Sequence, residues 1–237
     1  NFPSFVSNNS AYNFICFNAI VHGCMKQNGA IFIWQGTNNS IVNNTILVDG
    51  SVDAATCPAI LRTGGANMTF VNNIIALKNG APAMVNASLG SNGDNFQGNN
   101  WYLYGGGTPV IAGASGLPAF RTAFPGQETI SGNPVGFSVD PQLAGINSIP
   151  SKTVLASMPI GSFNNFNLLP NSPMIGVALQ LGMFGIIPPG VDFNLVPNTL
   201  PPGLGSRQGD VGCAKFLGAL QLPGYGRPAG IFTGGKM

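Results

Sequence analysis

The stretch FVNNIIALKNG, Phe70 to Gly80, places a polar Asn pair at the mouth of an apolar run. It has counterparts in CFNAIVHGC from Cys16, IVNNTILVDG from Ile41 and FQGNNWYLYGG from Phe96. Aligned on Asn18, Asn44, Asn73 and Asn100, these segments are spaced by 26, 29 and 27 residues. After each first run comes a Gly-bearing corner, then a second apolar run: AIFIWQG, AILRTGG, APAMVNAS and TPVIAGA. A fixed period between about 20 and 50 residues marks stacked repeats. Runs this short cannot pair within one unit, but each can pair with its equivalent in the next unit, about 4.8 Å away. The expected fold is therefore all-β, a right-handed parallel β-helix (a solenoid) with an irregular C-terminal cap. A β-sandwich would need Asn-Gly hairpins and clean alternation, and it would not keep a period near 27.

The Asn pairs fit this arrangement. An inward-facing Asn at each bend can bond its amide to the Asn one repeat above and below, which satisfies a buried polar group. Asn18, Asn44, Asn73 and Asn100 are the expected ladder. The second Asn of each pair is expected to take the unusual backbone angles of the corner, which Asn tolerates. Residues 1–130 are read as β-helix repeats, the C-terminal part of a longer helix, and residues 131–237 as a closing region with a terminal arm.

From about Asp140 the text changes to VDPQLAG, then FNNFNLLPNSPMIGVALQLG, then GVDFNLVPNTLPPGLGSRQGDVGCAKF. This order resembles the C-terminal end of secreted right-handed parallel β-helix proteins of the pectate-lyase-like superfamily. The closest likeness is to bacterial surface β-helix proteins with an exchangeable C-terminal anchor. Asp140-Pro141, Phe166 to Ile175 and Asp210 to Lys215 occupy the places of that family's closing segments. The chain departs from the pattern at Cys213 and Lys215, and the final LPGYGRPAGIFTGGKM has no counterpart in it. The resemblance implies the fold and an extracellular or cell-surface setting; it does not specify an activity.

Composition points the same way. Of 237 residues only 7% are charged, against roughly 25% in ordinary domains. A hydrophobic fraction of 44% still supplies a core. The net charge of +2 comes without a Lys/Arg cluster, so nucleic-acid binding has no electrostatic footprint. No apolar run reaches the length of a membrane span; the longest, from Met174, is broken by glycines and ends at Pro188-Pro189. The start at Asn1 reads as a removed leader or the inside of a longer polypeptide. Sequons stand at Asn8, Asn38, Asn43, Asn67 and Asn86, compatible with secretion.

Chemistry is sparse. A lyase needs acids on one outer face to hold calcium and a base beside them, and a glycosidase needs two or three carboxylates around one bond. The acids are Asp49, Asp53, Asp94, Glu128, Asp140, Asp192 and Asp210. Asp49 and Asp53 are a thin calcium candidate; Asp94 in SNGDN reads as a solvated turn, and Asp140 and Asp210 as caps of local backbone. His22 reads as a structural corner residue, and Cys16 and Cys213 as core thiols. Cys24 and Cys57 either form a disulfide pinning the SVDAATCP insertion or remain two free thiols. Trp34, Arg62, Trp101 and Tyr104 are the candidate glycan or partner contacts, with Tyr104 the most exposed; Phe14, Phe70 and Phe96 belong in the core. No catalytic residue, metal or cofactor is assigned. The expected role is an extracellular structural or adhesive module whose partners are identical or related subunits, glycans, or both. The alternatives are a polysaccharide lyase or glycosidase with part of its site before Asn1, and a viral tail or spike component.

Overall fold

A computed structural model describes residues 5–7, 14–16, 19–21, 29–33, 35–51, 57–86, 89, 92–148 and 167–186. These residues form an all-β fold with one short α-helix. The first repeat supplies β1 (Phe5–Ser7), β2 (Phe14–Cys16) and β3 (Ala19–Val21); the second supplies β4 (Ile31–Ile33), β5 (Ser40–Val42) and β6 (Thr45–Asp49). The third adds β7 (Ile60–Arg62), β8 (Thr69–Val71) and β9 (Ile74–Lys78), and the fourth β10 (Met84–Asn86), β11 (Asn95–Gln97) and β12 (Asn100–Leu103). After these come β13 (Val110–Ile111), β14 (Ala114–Ser115), helix α1 (Gly116–Ala123), β15 (Thr129–Ile130) and β16 (Asn133–Pro134).

Each strand pairs with its equivalent in the neighbouring repeat, not with the strand beside it in sequence. One sheet runs β1-β4-β7-β10-β13-β14, a second β2-β5-β8-β11, a third β3-β6-β9-β12. All of these pairs are parallel except β13 with β14. The register aligns Ile41 with Phe70 and Phe70 with Phe96. It likewise aligns Ile46 with Ile75 and Ile75 with Trp101.

Alternation sends these residues from all three sheets into one core. Ile31, Ile33 and Ile60 meet Ile41, Phe70 and Phe96, and also Ile46, Ile75, Leu77 and Trp101. Phe70 and Phe96 stack with ring centroids 4.3 Å apart and planes 5° from parallel. Strands rich in Ile, Val and Phe suit a pleated surface buried on one face. Helix α1 then adds Leu117 and Phe120 to this core, and Phe120 sits edge-on to Phe96 at 6.2 Å. The helix lies inside the span read from sequence as repeats. Its Leu117, Phe120 and Phe124 follow the helical, not the strand, period.

Part of the outer surface is covered as well. Val42 and Val71 point away from the core yet are fully buried, because Leu181 and Ile186 pack on them. That segment is held by Asn72, whose Oδ1 accepts the Leu179 N–H at 2.9 Å and whose Nδ2 donates to the Leu179 carbonyl at 2.8 Å.

Corners are made by left-handed residues in matching places. Asn43 and Asn72 have φ of 50° and 57°, and Gly98 takes the same place with 66°. In Asn43-Asn44 and Asn72-Asn73 the first Asn, not the second, therefore carries the corner geometry, and before Asn99-Asn100 it is Gly98. Glycine is required where chains also approach closely: a β-carbon on Gly65 (φ 87°) would run into the Gly36 carbonyl, whereas one on Gly105 (φ 89°) would meet nothing within 4 Å. Gly105→Ala should thus cost only about 1 kcal/mol for its left-handed backbone. Gly65→Ala should cost several times more. Urea midpoints at unchanged m-value will separate the two, and equal losses would contradict the close packing of the two repeats at that corner.

Candidate functional site

Most chemistry-bearing residues of the described chain gather into three places, and two are sealed. The first is a buried column of amides. Asn73 Oδ1 accepts both the backbone N–H and the Nδ2 of Asn44, at 2.9 and 3.0 Å, across 29 residues. Asn99 Oδ1 accepts the same two groups of Asn73, both at 2.9 Å, across 26 residues. The remaining amide hydrogens reach main-chain carbonyls: Asn44 that of Val42 in its own bend, and Asn73 and Asn99 those of Ile41 and Phe70 in the preceding repeat. All three side chains are completely buried. Asn18 lies outside the described residues.

Asn100 is not in this column. The member after Asn73 is Asn99, because Gly98 occupies the corner place that Asn72 holds one repeat earlier. Asn100 instead clamps Val139, with Nδ2 donating to its carbonyl at 3.0 Å and Oδ1 accepting its N–H at 3.2 Å.

Glu128 closes the column 29 residues further on. Its Oε1 accepts Asn99 Nδ2 at 2.8 Å and Trp101 Nε1 at 2.8 Å, and its Oε2 accepts the Asn99 N–H at 3.2 Å. Every amide of the column points its N–H end toward this carboxyl, so their dipoles add in its favour. Burial opposes that, and burial wins: the carboxyl is pushed up from 4.5 to about 7, despite the hydrogen bonds from Asn99 and Trp101 and the Arg121 charge. Trp101 is thus a core residue with its indole bonded to Glu128, fully buried and unavailable to a sugar.

The second sealed place is the Arg62–Asp94 pair. Arg62 stands in register with Ile33, at an inward position, and both its side chain and that of Asp94 have no exposure. Arg62 Nε lies 2.8 Å from Asp94 Oδ2 (off the angle of a hydrogen bond), and Nη2 donates to Asp94 Oδ1 at 3.0 Å and to the Gly65 carbonyl at 2.8 Å. Asp94 Oδ1 also accepts the Met68 N–H at 3.0 Å. Burial pulls the guanidinium down and pushes the carboxyl up, and their mutual attraction opposes both shifts. Arg62 is neither a solvated strand-edge residue nor a grip for a sugar acid, and Asp94 is not a solvated turn. Nothing in the local sequence of either residue announces the other across 32 positions.

The third place is on the outer surface of the third sheet. Tyr102 aligns with Ala76 and Leu47, whose side chains lie outside the core cluster, and packs edge-on to Tyr104 at 4.8 Å. Both rings are half-buried, so Tyr104 is less exposed than its glycine-rich surroundings suggest; its hydroxyl is enclosed. Burial first, and then the Asp140 carboxylate, push the Tyr104 phenol well above its ordinary range.

Asp49 forms a local knot: its Oδ1 accepts the Ser51 N–H at 2.9 Å, the Ser51 hydroxyl at 2.6 Å and Asn79 Nδ2 at 2.7 Å. Burial would raise its pKa, but these bonds and Lys78 together hold the carboxyl below its ordinary range. Asp53, Trp34, His22 and Cys24 lie outside the described residues. Cys57 is fully buried and disulfide-bonded, with its partner outside the described side chains. No group of three His, Cys, Asp or Glu side chains able to hold a metal occurs among the described residues. No described helix is long and apolar enough to cross a membrane. The chain matches no family model, no curated protein and no solved structure.

Two outcomes follow from the sealed sites. Asp94→Ala strands a buried guanidinium and should cost roughly 3–5 kcal/mol. Arg62→Ile with Asp94→Asn restores the residue of the preceding repeat, keeps the acceptor for Met68, and should recover most of that loss in denaturant unfolding. For Glu128, the unfolded carboxyl ionises near 4.5 and the folded one near 7, so the folded protein keeps a proton that the unfolded chain has lost. Its stabilising contribution is complete at the acid end and disappears as pH rises through about 7. Glu128→Gln should lack this slope, worth roughly 3 kcal/mol. Parallel pH–stability curves for the two proteins would contradict the shift.

Proposed function

We propose that the chain is a right-handed parallel β-helix with an irregular C-terminal cap, acting outside the cell or at its surface as a structural or adhesive module. Its partners are identical or related subunits, glycans, or both. The observation that supports this reading is the fate of the described carboxylates. Asp49 ties a corner, Asp94 neutralises Arg62, Glu128 ends the amide column, and Asp140 accepts the Gln142 N–H at 2.8 Å. Each is engaged in holding the scaffold. A lyase or hydrolase needs acids and a base free to act on one bond.

Low charge and an amide-rich surface suit close lateral packing, where few ions have to be desolvated. The experiment joins two readouts on the same purified chain. Sedimentation and electron microscopy should show side-by-side association, or glycan-array binding should show retention on polysaccharide. Incubation with neutral and acidic polysaccharides should release neither reducing ends nor unsaturated uronides. Catalytic release of either product would overturn the reading.

A further inference from the structure

The sequons are the one sequence motif that the scaffold does not absorb, and the structure separates them. In Asn43-Asn44-Thr45, Asn43 is 5% exposed and Thr45 is fully buried. A buried side chain there leaves a glycan no open space. In Asn38-Asn39-Ser40, Asn38 is half-buried and its Oδ1 is taken by Asn67. Asn67-Met68-Thr69 differs. Asn67 is exposed at the corner between β7 and β8, with φ of 54°. Its Nδ2 donates one hydrogen to Asn38 Oδ1 at 3.1 Å, and its Oδ1 lies over Gly93, where any β-carbon would collide with it. The side chain is thus oriented from both sides, while its nitrogen bears a second hydrogen.

We propose that Asn67 is an N-glycosylation site of this chain and that the Asn43 sequon stays bare in the folded protein. The inference rests on the extracellular reading, because the donor is a lipid-pyrophosphate-linked oligosaccharide of a secretory compartment. In the transfer, Asn67 Nδ2 bonds to the anomeric carbon, the bond from that carbon to the pyrophosphate oxygen breaks, and the lipid pyrophosphate leaves. The nitrogen gives up one proton and keeps the other, the one that Asn38 Oδ1 accepts. The transferase meets the chain before it folds, so the structure acts by deciding which glycans the finished fold tolerates. A glycan on Asn67 also marks the corner between the first and second sheets as a surface that stays in water when subunits pack side by side.

The test is site-resolved mass spectrometry of the full chain, both from its own source and secreted from a glycosylating cell, with enzymatic deglycosylation in heavy-oxygen water. Asn67 should carry the glycan and Asn43 should not. Thr69→Val, which leaves the Asn67–Asn38 bond in place, should remove the glycan, and when both proteins are made in a cell without the transferase it should leave the unfolding midpoint unshifted. Asn67→Gln should remove it as well. A bare Asn67 beside an occupied sequon elsewhere, an occupied Asn43 in folded protein, or a chain bare at every site from both sources would overturn the assignment. Modification of Asn67 in the secreting cell but at no sequon in the natural source would support the site and fault the extracellular reading instead.

Discussion

The described structure depends on a hydrogen bond that is made again in each repeat. An amide side chain, removed from water, gives its N–H to the carbonyl of the amide one repeat on and accepts from the one before. Leaving such a group unpaired in an apolar interior costs about 1–3 kcal/mol for each lost partner. A one-residue slip of any repeat would unpair several at once and would also turn the core-facing Ile and Phe residues outward. The column therefore fixes register, while Ile41, Phe70, Phe96 and their neighbours supply the gain from burial.

The same chemistry closes the sheets where strands run out. Gln127 Oε1 accepts the Phe96 N–H at 2.7 Å while its Nε2 donates to the Asp94 carbonyl at 2.8 Å. Gln97 makes the matching pair with the Thr129 N–H and the Gly126 carbonyl. Asn100 clamps Val139 and Asn72 clamps Leu179 in the same two-bonded fashion. A carboxamide carries a donor and an acceptor side by side, as a peptide group does, so it substitutes for a missing strand. An unpaired edge invites aggregation, and proteins protect it with charge, proline, bulges or a covering element. Among the described residues of this chain, uncharged amides cap the last strand of the second sheet.

Much of this was legible in the text and some was not, for identifiable reasons. Doublets Asn43-Asn44 and Asn72-Asn73 show both the period and the buried column. In GNN the doublet stands one place late, because Gly98 has taken the left-handed corner, so counting Asn to Asn selects Asn100 over Asn99. Aligning residues that tolerate positive φ would have found it. Glu128 stands 29 residues beyond Asn99, but a carboxyl in an amide column breaks the pattern a reader searches for. Arg62 and Asp94 find each other only once two repeats are superposed. Trp101 reads as a contact residue because alternation turns some strand aromatics outward, and its partner Glu128 stands 27 residues further on.

The central claim is that the side-chain amides of Asn44, Asn73 and Asn99 form one continuous buried column ending on Glu128. Its most direct test is solution NMR on isotopically labelled protein, reading side-chain amide exchange and couplings across the hydrogen bonds from Nδ2 to the next carbonyl carbon. The account predicts couplings from Asn44 to Asn73 and from Asn73 to Asn99, with amide hydrogens that outlast those of exposed Asn147 by orders of magnitude. Side-chain amides that exchange as fast as Asn147 and show no such couplings would contradict it.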